Sequence, residues 1–103
     1  MEIGRLLTAM VTPFDDKGQV DYEQARQLAQ ALVNSGSDGV VVGGTTGESP
    51  TLNHEEKLRL FAEINDAIGG QYPVVAGTGN YSTWESIQLT KDAEKVGVAG
   101  FLL

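Results

Sequence analysis

The sequence predicts an α/β fold in which strands of a parallel sheet alternate with amphipathic helices. Short apolar runs show no alternation with polar residues, which is typical of strands buried on both faces. The segments between them have helical apolar spacing, and each begins at a capping residue and ends at glycine. Three strand–helix units followed by a fourth strand are therefore expected.

The four predicted strands are residues 7–11, 39–42, 73–76 and 99–103. The thirteen glycines of this 103-residue chain indicate many tight connections between these strands and the helices, because glycine reaches backbone angles closed to other residues.

The first predicted helix begins at Asp21, whose carboxylate can cap the amide of Gln24, and ends at Gly36. Its apolar stripe consists of Tyr22, Ala25, Leu28, Ala29 and Leu32.

The second predicted helix starts at Asn53, which pairs with Glu56, and stops at the two glycines 69 and 70. Its stripe is Leu58, Phe61, Ala62 and Ile68. The third begins with a capping box, Ser82 and Glu85, and ends at Gly97. Its stripe is Leu89, Ala93 and Val96.

Two architectures fit this pattern, namely a doubly wound open sheet and a section of an eight-stranded barrel of about 250 residues. Residues 101–103 fall inside an apolar strand with no helix after it, and an exposed strand of this kind pairs with other chains. We therefore expect residues 1–103 to be one partial segment, the N-terminal portion of a (β/α)8 TIM barrel, truncated at its C-terminus.

Composition excludes several functions. A net charge of −7 leaves no cationic surface for nucleic acid, and the absence of cysteine excludes disulfides, thiolate metal sites and a cysteine nucleophile. The first apolar stretch is too short for a secretory signal. We predict a cytoplasmic protein with no membrane segment, metal or cofactor.

The loop after the second strand is the strongest candidate site. Residues 43–47 contain three glycines, whose amides can turn toward a ligand, and the hydroxyls of Thr45 and Thr46. Glu48 stands where a nucleotide-binding Walker loop has lysine, so a small carboxylate ligand is favoured over a nucleotide. The alternative is that these residues serve only a tight turn.

The loop after the third strand carries glycines at 77 and 79 but has Ser82 where a dinucleotide-binding motif needs its third glycine. This loop therefore favours a structural role. His54 follows the cap of the second helix, and its position is typical of a solvated first-turn side chain.

Residues 44–52, with the sequence GTTGESPTL, resemble the dihydrodipicolinate synthases, in the superfamily that includes N-acetylneuraminate lyase. Residues 9–14 and 73–79 resemble the first and third strands of the same family with their following loops, and the resemblance covers essentially the whole chain.

The resemblance implies a class I aldolase, in which a lysine forms a Schiff base with pyruvate and the enamine attacks L-aspartate 4-semialdehyde. It assigns Thr46 and the backbone at Gly44 to the pyruvate carboxylate, Thr45 to proton transfer, and Ala9 to packing near pyruvate. It also implies a homo-oligomer, a tetramer or dimer. The alternatives are a sugar-acid aldolase of the same superfamily and a non-catalytic half-barrel assembly module.

The Schiff-base lysine and the V-T-P-Y-Y stretch of the family lie beyond Leu103, so this chain alone is expected to be inactive. Lysine-sensitive members bind the effector with residues that match four positions here, namely Ser49, His54, Gly79 and Glu85. Lys57 and Tyr81 replace the histidine and asparagine of those members. An added cation weakens binding of a cationic ligand, so we predict insensitivity to lysine.

Overall fold

The computed structural model describes residues 6–43, 52–78 and 83–102, in which strands and helices alternate. The strands are β1 (Leu7–Ala9), β2 (Gly39–Val42), β3 (Val74–Gly77) and β4 (Gly100–Leu102). The helices are α1 (Tyr22–Asn34), α2 (His54–Ile68) and α3 (Thr83–Val96). This order confirms the predicted α/β fold.

The sheet is parallel throughout, and its strands lie side by side in chain order, β1-β2-β3-β4. In a doubly wound sheet, the direction in which successive strands are added reverses at a switch point. These four strands are all added in the same direction. Valines 40 and 42 of β2 pack in the core with residues of all three helices, whereas Val41 points to the opposite face. Helices that cover one face of a sheet wound in a single direction produce a section of a barrel.

The hydrophobic core lies between this face of the sheet and the three helices. The strands contribute Val40, Val42, Val74 and Ala76, and Met10 joins them directly after β1. The helices contribute Ala25, Ala29, Val33, Leu60, Phe61, Ile64, Ile68, Leu89 and Ala93. The uncovered face carries Ala9 and Val11, which are exposed, and Val41, which is half-buried.

Helix α1 begins and ends as its sequence predicts. The Asp21 carboxylate accepts a hydrogen bond from the Gln24 amide at 3.0 Å, and Gly36 follows the helix with a φ of +115°. The buried positions of α1 are Ala25, Ala29 and Val33, whereas the larger predicted stripe members Tyr22, Leu28 and Leu32 are only partly buried. Small side chains therefore make the closest contact between α1 and the core.

Helix α2 has a complete capping box, since Asn53 accepts from the Glu56 amide and the Glu56 carboxylate accepts from the Asn53 amide. The prediction that Ala62 belongs to the buried stripe is wrong, because Ala62 is exposed. The stripe runs instead through Leu60, Phe61, Ile64 and Ile68, which share one side of the helix at three- and four-residue steps.

Helix α3 buries Leu89 and Ala93 as predicted, and Gly97 follows it with a φ of +92°. Trp84 in its first turn is 67% exposed, so it does not belong to the core of this chain. The predicted cap Ser82 lies outside the described residues.

Candidate active site

The carboxyl ends of the four strands lie along one edge of the sheet, as parallel pairing in register requires. The residues at this edge are Ala9 at the end of β1, Gly43 directly after β2, Gly77 at the end of β3 and Thr78 directly after it. Ligands of parallel α/β proteins bind at this edge, because the loops that leave the strands converge there.

Gly43 leaves β2 in a left-handed conformation with a φ of +81°. A Cβ atom added at Gly43 would lie 2.8 Å from Cε1 of Phe61 and 3.4 Å from the carbonyl oxygen of Gly77. A real side chain does not approach a ring so closely, and the left-handed conformation disfavours L-residues in any case. Glycine is therefore required at the entry to the candidate loop.

Thr78 is completely buried at this edge, and its hydroxyl lies 2.9 Å from the hydroxyl of Thr90 in α3. The Thr90 hydroxyl also lies 2.8 Å from the carbonyl oxygen of Ser86. A hydroxyl carries one hydrogen, so both bonds form when Thr78 donates to Thr90 and Thr90 donates to the Ser86 carbonyl. This chain of bonds fastens the end of β3 to α3.

Lys57 lies in the first turns of α2 on the side of the helix that carries Leu60, Phe61 and Ile64, and only 8% of it is exposed. No salt bridge joins it to another described residue. The helix dipole disfavours a cation at the amino end of α2, whereas the aliphatic stem of a lysine is readily buried on the apolar side of a helix.

His54 connects the second and third helices. Its Nε2 atom lies 2.7 Å from Oδ2 of Asp92 in α3, and both side chains remain more than a third exposed. The predicted first-turn position of His54 is confirmed, but its ring has a defined partner and is not merely solvated.

The structure describes three of the eight residues singled out from the sequence. Ala9 is exposed on the uncovered face at the carboxyl end of β1, His54 begins α2, and Glu85 is exposed in the first turn of α3. The predicted ligand-loop and effector positions Gly44, Thr45, Thr46, Ser49 and Gly79 lie outside the described residues.

Residues 6–43, 52–78 and 83–102 contain no group of three or more His, Cys, Asp or Glu side chains that could hold a metal ion. Among the helices of the same ranges, none is long and apolar enough to cross a membrane.

Three features at this edge were not predicted from the sequence. They are the contact of Phe61 with Gly43, the chain of bonds through Thr90, and the burial of Lys57. Each depends on how α2 or α3 is seated on the sheet. The helical spacing of Lys57 with Leu60 and Ile64 is the one signal that could have indicated its burial.

The fold defines a barrel-type α/β protein with a glycine-lined edge at the carboxyl ends of its strands, the edge at which proteins of this class bind ligands. The sequence profile of the Dihydrodipicolinate synthetase family matches residues 2–103. The chain therefore belongs to the dihydrodipicolinate synthetase family, which confirms the predicted resemblance and the barrel fold.

Individual relatives agree with this assignment. The chain is 58% identical over 103 residues to a 4-hydroxy-tetrahydrodipicolinate synthase of Heliobacterium modesticaldum, covering all of this chain and 34% of that protein. The crystal structure of a Bacillus anthracis dihydrodipicolinate synthase superposes with a TM-score of 0.91 at 46% identity, covering all of this chain and 35% of the other.

A third relative is the chloride-inhibited dihydrodipicolinate synthase of Acinetobacter baumannii, whose crystal structure is a complex with pyruvate. It superposes with a TM-score of 0.87 at 38% identity, over 95% of this chain and 34% of that one. The chain thus spans about a third of the length of the relatives it matches.

Proposed function

We propose that this chain is the pyruvate-binding segment of a Schiff-base-forming lyase that condenses pyruvate with L-aspartate 4-semialdehyde to 4-hydroxy-tetrahydrodipicolinate in lysine biosynthesis. Membership of the dihydrodipicolinate synthetase family over residues 2–103 carries the proposal. The pyruvate complex of the Acinetobacter relative supports pyruvate as the first substrate.

The site residues follow from the candidate loop. Thr46 and the backbone at Gly44 hold the pyruvate carboxylate, and Thr45 transfers protons to and from the bound substrate. Ala9 lines the site from the end of β1, and its exposure on the face that no helix covers supports this role. The left-handed φ of Gly43 supports a loop that leaves β2 with its amides available to an anion.

The lysine that forms the Schiff base comes from another part of the full-length protein. All four lysines of this chain, Lys17, Lys57, Lys91 and Lys95, are described, and none lies on a strand. Residues 1–103 therefore form one segment of a longer barrel, and we expect this segment to be inactive by itself. The full-length protein is a cytoplasmic homo-oligomer in this proposal.

The test is borohydride trapping of pyruvate on the full-length protein, followed by mass spectrometry and a condensation assay. Thr46→Val should raise the pyruvate concentration that half-saturates trapping about tenfold or more, because it removes a hydrogen bond to a charged group. Thr45→Val should still trap pyruvate but should lower kcat about a hundredfold, the usual contribution of a proton-transfer group.

Thr51→Val is the matched control, since it makes the same change within the same sequence motif, residues 44–52, at a position with no assigned role. Failure of the wild-type protein to trap pyruvate would refute the lyase proposal. Cleavage of N-acetylneuraminate or another sugar acid, without condensation of the semialdehyde, would replace it with the sugar-acid aldolase.

Insensitivity to lysine is proposed for the same enzyme. Two observations support it. Lys57 is a cation in the part of the chain that matches the effector site, and a cation disfavours binding of the cationic lysine. The imidazole of His54 is already bonded to Asp92, so it is less available to an effector. Titration calorimetry of the full-length protein with L-lysine should show no binding at micromolar concentrations. Heat from a micromolar complex would contradict this prediction.

A further inference from the structure

The entry to the candidate loop is enclosed by two other elements of the fold. The ring of Phe61, from α2, and the carbonyl oxygen of Gly77, at the end of β3, occupy the space on the side of Gly43 where a side chain would stand. The Phe61 ring is fully buried. The chain therefore turns out of β2 against a fixed surface.

This contact differs from ordinary core packing because it reaches backbone and not another side chain. Gly43 accepts the left-handed φ without strain, and the close approach of Cε1 of Phe61 is possible because Gly43 has no Cβ. A phenyl ring in a close-packed core has little freedom to move. The ring consequently fixes the backbone at Gly43, from which the chain continues into residues 44–46.

We propose that Phe61 is a positioning residue that acts through Gly43 on the loop that binds the substrate carboxylate. Phe61 touches no reacting atom, and it acts by fixing the backbone of Gly43, where the loop begins. The inference deepens the proposed function and rests on it for the substrate measurement, but the contact itself is tested without substrate.

The first experiment compares Phe61→Leu with Ile64→Val in the full-length protein. Both residues are fully buried in α2, but Ile64 lies one turn farther from the carboxyl edge and is not among the nearest neighbours of Gly43. Hydrogen–deuterium exchange of peptides covering residues 44–52 should be about fivefold faster in Phe61→Leu and unchanged in Ile64→Val. Equal effects of the two variants, or no effect of Phe61→Leu, would overturn the proposal.

A double-mutant cycle tests the contact directly. Gly43→Ala introduces the Cβ that meets the ring, and Phe61→Leu removes Cε1 and Cζ, the ring atoms nearest to it. The unfolding midpoint of the double variant should therefore be higher than the sum of the two single changes predicts. Additive changes would show that the two residues are not in contact and would also overturn the proposal.

The substrate measurement separates this inference from the proposed function. In borohydride trapping, Phe61→Leu should raise the half-saturating pyruvate concentration about fivefold with the maximal rate within about twofold of wild type, whereas Ile64→Val leaves both unchanged. An unchanged half-saturating concentration in Phe61→Leu would refute the positioning role. A wild-type protein that traps no pyruvate refutes the lyase instead, and the exchange and cycle results still decide whether Phe61 sets the loop.

Discussion

The two contacts between neighbouring helices are built in different ways. Between α1 and α2, the single side chain of Arg26 donates to the backbone carbonyl and carboxylate of Glu63 and to the carboxylate of Asp66 at 3.0–3.3 Å. Between α2 and α3, two separate one-to-one bonds join His54 to Asp92 and the Asn65 side chain to the Val96 carbonyl. The hydrogen bonds of the first contact all come from one cation, whereas those of the second come from two separate side chains.

Both contacts involve α2, whose apolar stripe packs on the sheet. Burial of this stripe supplies most of the free energy that holds the helices together, because exposed ion pairs contribute little in water. The polar bonds add direction to the packing. We therefore expect the loss of stability to be large for substitutions in the shared stripe, smaller for Arg26 and smaller still for His54.

The largest effect is expected for Ile64→Ala, which weakens the support of both contacts. Ile64 is fully buried, and truncation of such a residue costs about 3 kcal/mol, the sum of lost burial and the cavity left behind. Urea unfolding of the full-length protein, followed by fluorescence, measures this loss. Ala62→Gly on the exposed side of α2 is the control, and an equal loss there would show that helix propensity and not burial dominates.

Arg26→Gln is expected to have the second largest effect on the unfolding midpoint. The change removes all three bonds of Arg26 at once and leaves Glu63 and Asp66 beside each other with less compensation. The loss should shrink in high salt, because screening weakens exposed charge pairs. Thermal unfolding at low and high salt measures it, with Lys17→Gln in an exposed turn as the control; a loss independent of salt would mean that packing of the arginine stem is responsible.

A smaller effect is expected for the His54–Asp92 pair. Its side chains are 39% and 38% exposed, and pairs of this kind contribute about 0.5 kcal/mol. The coupling free energy is obtained from urea unfolding of His54→Gln, Asp92→Asn and the double variant. A coupling as large as the whole loss in Arg26→Gln would contradict the ranking of the two contacts.

The features confirmed from the sequence are those set by neighbours along the chain. The Asp21 and Asn53 caps depend on residues three positions away, and the glycines 36 and 97 end helices because their own backbone angles allow it. The apolar runs identified the strands because the parallel strands, above all β2 and β3, consist almost entirely of apolar residues. Local chemistry was sufficient for the fold class.

The contacts that the sequence did not reveal join residues far apart in the chain. Arg26 meets residues 37 and 40 positions away, and His54 meets a residue 38 positions away. Such partners depend on how one helix is rotated and shifted against the next, which spacing within either helix does not determine. The same reason explains the error at Ala62, which lies one position after the buried Phe61 but is exposed.

The smallest predicted effect concerns Tyr22, which belongs to the α1–α2 contact. Burial raises the pKa of Tyr22 above its ordinary value of 10.0, and the Glu56 and Glu63 carboxylates raise it further, whereas the Arg59 guanidinium, 4.0 Å from the ring centroid, lowers it. The raised pKa means that the unfolded phenol ionises first. The stabilising contribution is therefore complete below pH 10 and is lost as the pH rises through the folded-state pKa.

This titration is measured by the ultraviolet absorbance of the phenolate, as the difference between the full-length protein and its Tyr22→Phe variant. Arg59→Gln should move the midpoint to higher pH, because it removes a positive charge that favours the phenolate. Lys91→Gln, an exposed cation on α3, should leave the midpoint unchanged. A midpoint that falls in Arg59→Gln would show that the guanidinium shields Tyr22 from water more than it attracts the phenolate, so that the α1–α2 contact is held by packing at this point as well.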